Sequence, residues 1–305
     1  MKLSPSLYAL LAGLALTTQA ADKLPVVASF SILGDLVQQV GGDKVAVQTL
    51  VGPDGDAHVY QPSPRDGKTL ASAKLLVVNG LAFEGWMERL ARASQYKGAR
   101  VVASDKVKTH TMAEDEHGHD DHDHGHDHGK VDPHAWQNPA NIHIYVANIA
   151  AGLSRADPAN AAYYQQRAAS YGKELQALEQ WADKEVASIP AAKRRVITSH
   201  DAFGYLGQRF KIQFLAPQGM NTEAEASAKG VGKLIQQAKR EGIKAIFVEN
   251  VSNPKLLEQI SRETGAKVGG RLYSDALSQP SGVAGSYLAM MRYNIATLVA
   301  GMRQN

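Results

Sequence analysis

The chain has 305 residues, enough for two domains on a prior of about 150 residues each. Hydrophobic residues make up 44 % and charged residues 21 %, which excludes wholesale disorder. The formal charge of +3 comes without a basic patch or stripe, so no nucleic-acid partner is expected. There is no cysteine, which excludes disulfides, thiolate metal sites and cysteine nucleophiles. Any transition-metal site must therefore use imidazole and carboxylate ligands.

Residues 1–20 have the pattern of a secretory signal peptide. Lys2 gives a positive start, the apolar run LYALLAGLAL follows, and Thr18-Gln19-Ala20 offers small residues for cleavage. This run is too short to span a bilayer core of about 30 Å, and without cysteine there is no lipid attachment site. We expect the mature chain to begin near Ala21 and to be soluble outside the cytoplasm.

Residues 21–157 alternate between predicted strands and helices, which is typical of βαβ units and a mainly parallel sheet. A stretch with three prolines, 52–65, predicts turns. Strands are predicted at 26–30, 45–50, 75–79 and 100–103, and helices at 32–40, 82–95 and 138–155.

The segment 105–130 interrupts this first lobe with the run EDEHGHDDHDHGHDHGK, which has no apolar residue and predicts a flexible loop. Its alternating histidines and aspartates favour weak secondary sites that capture metal ions. A solvated spacer that binds metal only incidentally is the alternative. The histidines concerned are His117, His119, His122, His124, His126 and His128.

Residues 158–189 predict one long helix of roughly 30 residues, about 45 Å in length, that Pro190 ends. The segment 190–305 then repeats the alternation of strand and helix. The predicted fold class is α/β, with two lobes of mainly parallel sheets flanked by helices, joined by one long rigid helix. Strands are predicted at 196–198, 212–216, 245–249 and 267–272, and helices at 203–209, 228–241, 254–264 and 287–301.

Four residues that can ligate a metal follow predicted strands, where ligands gather in open α/β sheets. They are His58, His134, His200 and Asp275. Two come from each lobe, which predicts a site in the cleft between the lobes. Three imidazoles and one carboxylate suit tetrahedral Zn²⁺. Any one of these histidines taken alone is more typical of a hydrogen-bonded loop residue.

Several motifs resemble the metal-binding solute-binding proteins of ABC transporters, and more narrowly their zinc-specific, ZnuA-type and AztC-like members. They are DAHVYQPSPRD, VDPHAW, SHDAFGYLGQRF, EAEASAKGV, AIFVEN and GGRLYSDALS. The resemblance implies the same four ligands and two lobes bridged by a rigid helix. It also implies an inner-membrane permease with a cytoplasmic ATPase as partners. Ala57 stands where some zinc members carry a glutamate, and manganese members are expected to have a glutamate at the position of His200.

The function predicted on these grounds is capture of zinc ions in the interlobe cleft and their delivery to an ABC transporter permease. The protein is expected to be a monomer, and a periplasmic zinc chaperone is a possible partner that loads it. A secreted zinc hydrolase is an alternative, but four protein ligands leave no open position for water, and HExxH is absent. A periplasmic zinc buffer is a third possibility. Ser199-His200-Asp201 contains the letters of a catalytic triad, whose members are rarely adjacent in sequence. We therefore predict no enzymatic activity.

Overall fold

The computed structural model describes residues 22–111 and 131–305. The predicted signal peptide and the six histidines of the loop lie outside the described residues. Among the helices of the described ranges, none combines the length and the apolar character needed to cross a membrane.

The first lobe contains a parallel four-stranded sheet with the strand order β2-β1-β3-β4. Its central strands β1 and β3 are lined with buried valine, leucine and alanine, as a sheet covered on both faces requires. The strands are β1 (Leu24–Phe30), β2 (Val45–Val51), β3 (Leu75–Val78) and β4 (Ala99–Val102), and the helices are α1 (Ser31–Gly41), α2 (Pro64–Ser72), α3 (Met87–Ala93) and α4 (Pro139–Ala156).

The second lobe repeats this arrangement, with a parallel sheet in the order β6-β5-β7-β8. Part of it has a separate small apolar core built on α7 and α8. The strands are β5 (Arg195–Ile197), β6 (Gln213–Leu215), β7 (Ile246–Glu249) and β8 (Val268–Leu272). The connecting helix α5 (Ala161–Ala187) is followed by α6 (Gly204–Phe210), α7 (Ala228–Glu241), α8 (Lys255–Thr264) and α9 (Tyr287–Met302).

Two helices tie the lobes together. The long helix α5 (Ala161–Ala187) runs between them, and α9 joins α1, α4 and α5 in one large core. At the start of α9 the backbone N–H of Tyr287 donates to Asp35 (2.7 Å), and the Tyr287 hydroxyl donates to the carbonyl of Trp136 (2.9 Å). The predicted two-lobe α/β architecture with a joining helix is confirmed, and α9 adds a second connection.

The structure corrects two local predictions in the first lobe. Helix α2 occupies residues predicted as turn and those that follow, because Ser63 and Asp66 form a reciprocal capping box and Pro64 takes the first helical position. Helix α3 is shorter than the predicted 82–95, and both ends of that prediction, Ala82 and Gln95, have positive φ angles of 60° and 51° that an α-helix does not contain.

The long helix is also shorter than predicted. Residues 158–160 form a separate 3₁₀ turn, so the α-helical part has 27 residues and ends at Ala187, shortly before Pro190. At 1.5 Å per residue this is roughly 40 Å, still long enough to run between the two lobes.

Candidate metal centre

The four candidate ligands all lie in loops that leave the carboxyl ends of parallel strands. His58 follows β2, His134 lies between β4 and α4, His200 follows β5, and Asp275 follows β8. Because the carboxyl ends of the two sheets face each other, these loops meet between the lobes. One ligand atom from each residue lies within 4.8 Å of all the others.

Four of the distances between these atoms are close to the edges of a tetrahedral metal shell. Nε2 of His58 lies 3.2 Å from Nε2 of His134 and 3.3 Å from Oδ2 of Asp275. Oδ2 of Asp275 also lies 3.2 Å from Nε2 of His200, and Oδ1 of Asp275 lies 3.7 Å from Nε2 of His134. Metal–ligand bonds of about 2.0–2.2 Å place the corners of a tetrahedron about 3.3 to 3.6 Å apart. A small cation therefore fits among these atoms with little rearrangement.

Two of the imidazoles are oriented by buried carboxylates. Nδ1 of His134 lies 2.8 Å from Oδ1 of Asp132, which also accepts the His134 backbone N–H at 2.9 Å. Nδ1 of His200 lies 2.5 Å from Oε2 of Glu249, whose Oε1 accepts the backbone N–H groups of Ser199 and His200. A carboxylate on Nδ1 fixes the tautomer that leaves Nε2 free for a metal.

His58 is held differently. The edge of its ring packs on Phe83 with centroids 4.8 Å apart, and Trp86 donates to the carbonyl of Ala57 (2.8 Å) to hold the loop against the first lobe. Among the described residues, the only carboxylate within ion-pair distance of the His58 ring is Asp275, on Nε2. The side chain of His58 is 4 % exposed, whereas those of Asp275, His134 and His200 are fully buried.

The buried atoms at the centre lack the hydrogen bonds that their burial demands. Nε2 of His200 and both carboxylate oxygens of Asp275 are inaccessible to water and have no hydrogen-bond partner within the described part of the chain. Buried polar atoms without partners are rare, and they call for a functional explanation. A divalent metal ion explains why these buried nitrogen and oxygen atoms face one another at separations of 3.2–3.7 Å.

The charges at the site strongly couple His200 to its neighbours. Burial alone lowers the pKa of His200, but the negative charges of Glu249 and Asp275 together outweigh it and raise the pKa well above its usual value. Burial alone raises the pKa of Asp275, but the imidazoles of His200 and His134 outweigh it and hold the pKa well below its usual value. In the metal-free site, both shifts favour a proton on His200 beside an ionised Asp275.

Metal binding at neutral pH is expected to release a proton, because a metal and a proton compete for Nε2 of His200. The raised pKa of His200 also stabilises the folded, metal-free protein against unfolding. This contribution is complete below the unfolded-state pKa of about 6.5, and it is lost as pH rises through the folded-state pKa. Metal affinity should rise with pH through the same window. Calorimetry in buffers of different ionisation enthalpy measures the released proton.

The Glu249→Gln variant tests whether the released proton comes from His200. Loss of the Glu249 charge lowers the pKa of His200, so this variant should release fewer protons when it binds metal. An apparent binding enthalpy that is the same in every buffer would contradict a protonated His200 in the metal-free site.

Other polar residues lie beside the site or away from it. Glu249 contacts an imidazole of the site, whereas Asp201 is paired with none of the imidazoles in the described part of the chain. Burial, followed by the charge of Asp132, raises the pKa of Asp201 to about 6. His143 is exposed and pairs with Glu179 at 2.8 Å. The contact of Asp132 with the His134 ring was not predicted from the sequence. The position of Asp132, two residues before His134, is the signal that could have indicated it.

Fold and geometry together define a binding protein whose two α/β lobes converge on a cation site. Comparison with known families agrees: residues 26–301 match the family described as "Zinc-uptake complex component A periplasmic". The chain belongs to this family of metal-binding, periplasmic substrate-binding proteins of ABC transporters, whose members are not enzymes. The transporter supplies a membrane permease and an ATPase as partners.

Relatives carry the names of different metals. The chain is 33 % identical to the manganese-binding lipoprotein MntA of Bacillus subtilis, over 93 % of this chain and 91 % of that protein. It is 32 % identical to the iron-binding protein YfeA of Yersinia pestis, over 94 % of this chain and 89 % of that protein. The solved structure of the periplasmic zinc-binding protein TroA of Treponema pallidum is 26 % identical, with a TM-score of 0.83, over 92 % of this chain and 99 % of that chain.

Proposed function

We propose that this protein binds zinc through His58, His134, His200 and Asp275 and delivers it to the permease of a zinc-uptake ABC transporter. The observation that carries the proposal is the donor set: three imidazole nitrogens and one carboxylate, whose ligand atoms all lie within 4.8 Å of one another. Zinc favours this set and this geometry, whereas manganese favours oxygen ligands in an octahedron.

Manganese or iron is the competing cargo, since relatives of similar identity carry those names. Two observations favour zinc. The third ligand position is an imidazole, and Glu249, the carboxylate closest to it, lies on Nδ1 rather than at the centre. A harder ion would need additional oxygen donors, and the buried centre offers only those of Asp275 among the described residues.

Parallel titrations with Zn²⁺, Mn²⁺ and Fe²⁺ at neutral pH test the metal assignment. The proposal expects Zn²⁺ to bind about a hundredfold more tightly than Mn²⁺, or better, because manganese gains less from imidazole and loses its preferred octahedral shell. Equal or tighter binding of Mn²⁺ would remove zinc as the cargo and leave the family's transport role standing.

We further propose that the six histidines between 117 and 128 form weaker capture sites that feed the cleft. The described residues on either side of this segment are paired: Thr111 bridges to Val131, and the N–H of Asp132 donates to the carbonyl of His110 (2.9 Å). Val131 stands shortly before His134 in the chain, so the segment is joined to the fold next to a ligand of the cleft. The proposal includes a monomeric mature chain, periplasmic after removal of residues 1–20, with a zinc chaperone as a further source of metal.

Deletion of residues 115–129 separates the two kinds of site. The paired ends allow a short connection across the gap, so the deletion variant should fold and keep one tight site while losing the weaker ones. Isothermal titration with zinc gives the stoichiometry of each class. A deletion variant without tight binding would place the main site in the loop and refute the cleft assignment.

A further inference from the structure

The loop between β2 and α2, which carries His58, is hydrogen-bonded to the opposite lobe at three places. The backbone N–H of Asp54 donates to the carbonyl of Leu277 (2.9 Å), and Asn250 donates to the Asp54 carboxylate (3.1 Å). The third bond runs from the Thr222 hydroxyl to Oδ2 of Asp56 (2.7 Å). The partners are far apart in sequence, so these bonds join the two lobes directly at the site.

Asp56 connects the third bond to the metal ligand. Its Oδ1 accepts the backbone N–H of His58 at 2.9 Å, while its Oδ2 accepts the hydroxyl of Thr222. One carboxylate therefore holds the backbone of a ligand from the first lobe and a side chain from the second. Hydrogen bonds to an ionised acceptor are stronger than bonds between neutral groups. The position of His58 thus depends on a contact with the second lobe.

His58 is also the ligand with the fewest constraints of its own. His134 and His200 each have a buried carboxylate on the second ring nitrogen, and His58 has none among the described residues. It is the one of the four that retains some exposure. When a four-ligand shell opens, the ligand with the least support and the nearest solvent leaves first.

We propose that the hydrogen bond between Thr222 and Asp56 latches the His58 loop over the bound metal and sets the rate at which the metal leaves. Opening of this latch releases Asp56, the acceptor of the His58 backbone N–H, so that His58 withdraws and the ion departs on that side. The outer bond between Asn250 and Asp54 contributes less, because Asp54 is exposed and its charge is screened by salt. The inference rests on the proposed ligand set but not on which metal is carried.

The test is the dissociation rate of one equivalent of Zn²⁺ or Mn²⁺ from the full mature chain into excess EDTA, followed by stopped flow. Thr222→Val removes the hydroxyl and keeps the shape, and it should accelerate release about tenfold, which corresponds to about 1.4 kcal/mol. Thr222→Ser keeps the hydroxyl and should release at the wild-type rate. Thr49→Val makes the same change on the exposed surface of β2 and is the matched control.

A double-mutant cycle shows whether the two residues act through each other. Asp56→Ala should accelerate release by as much as Thr222→Val or more, and adding Thr222→Val to it should have no further effect. The association rates should stay within about twofold of wild type, because the latch acts on release. Melting temperatures of the metal-free variants should fall by no more than about 5 °C, because only one or two partly buried hydrogen bonds are lost, and this small change separates loss of the latch from general unfolding.

Three results would overturn the latch. The first is a Thr222→Val variant that releases metal at the wild-type rate. The second is a Thr222→Ser variant that accelerates release as much as Thr222→Val does. The third is a double variant in which the effects of Thr222→Val and Asp56→Ala on the release rate add fully. If Mn²⁺ proves the tighter ligand and Thr222→Val still accelerates its release, the zinc assignment fails and the latch stands. A chain that holds neither ion tightly refutes both the ligand set and the latch.

Discussion

Replacing His200 with alanine is expected to lower zinc affinity by about a hundredfold to a thousandfold. Structural zinc sites with four protein ligands bind with about 10–16 kcal/mol, so each ligand accounts for roughly a quarter of that, and each 1.4 kcal/mol is a factor of about ten. The loss is increased because Glu249 stays buried without the imidazole it contacts at 2.5 Å. Competition with a chromophoric zinc chelator measures the affinity.

The matched control is His143→Ala, which removes an exposed histidine that pairs with Glu179 away from the cleft. It should bind zinc as the wild type does. His58→Ala and His134→Ala should resemble His200→Ala, since each removes one imidazole from the same shell. Wild-type affinity in any of the three would show that the residue is not a ligand.

Asp275→Asn is expected to lower zinc affinity about a hundredfold although it preserves the size and shape of the side chain. Asp275 is the only carboxylate among the described residues at the centre, and it lies within 3.7 Å of Nε2 of all three histidines. An amide oxygen is a weaker ligand, and the two positive charges of zinc would then be buried with no negative ligand. Chelator competition near neutral pH measures this loss.

Asp183→Asn is the control for Asp275→Asn, because it neutralises an aspartate that pairs with Arg209 on the surface. Its zinc affinity should equal that of the wild type. A wild-type zinc affinity in Asp275→Asn would exclude the carboxylate as a ligand and leave a site of three imidazoles.

The convergence of the four candidate ligands could be predicted from sequence because strand ends are easy to recognise. Short apolar runs with β-branched residues, such as Leu75–Val78, mark the strands, and parallel strands bring their carboxyl ends to one edge. His200 follows the end of β5 closely, and Asp275 follows the end of β8 in the same way. Residues that can ligate a metal and stand just beyond strand ends are therefore candidates for one common site.

The contacts that orient these ligands could not be predicted in the same way. Glu249 reaches His200 only because β5 and β7 are neighbours in the sheet, although the two residues are 49 positions apart in sequence. Thr222 meets Asp56 across the cleft, 166 positions away. Periodicity and turn signals describe local structure, and they carry no information on which loops of two lobes will touch.

Helix α2 shows a different limit. Three prolines in 52–65 indicate turns, and that prediction holds up to Ser63, where the same residue type that favours turns caps a helix instead. The outcome depends on Asp66, whose carboxylate accepts the backbone N–H of Ser63 at 2.6 Å. Turn and helix start share their residue preferences, so composition alone does not separate them.

The most direct test of the account is a crystal structure of the zinc-loaded mature chain, with anomalous diffraction recorded at the zinc edge. The account predicts a strong peak between the lobes, about 2.0–2.2 Å from Nε2 of His58, His134 and His200 and from a carboxylate oxygen of Asp275. A strongest peak elsewhere, or one that lacks any of these four ligands, would contradict it.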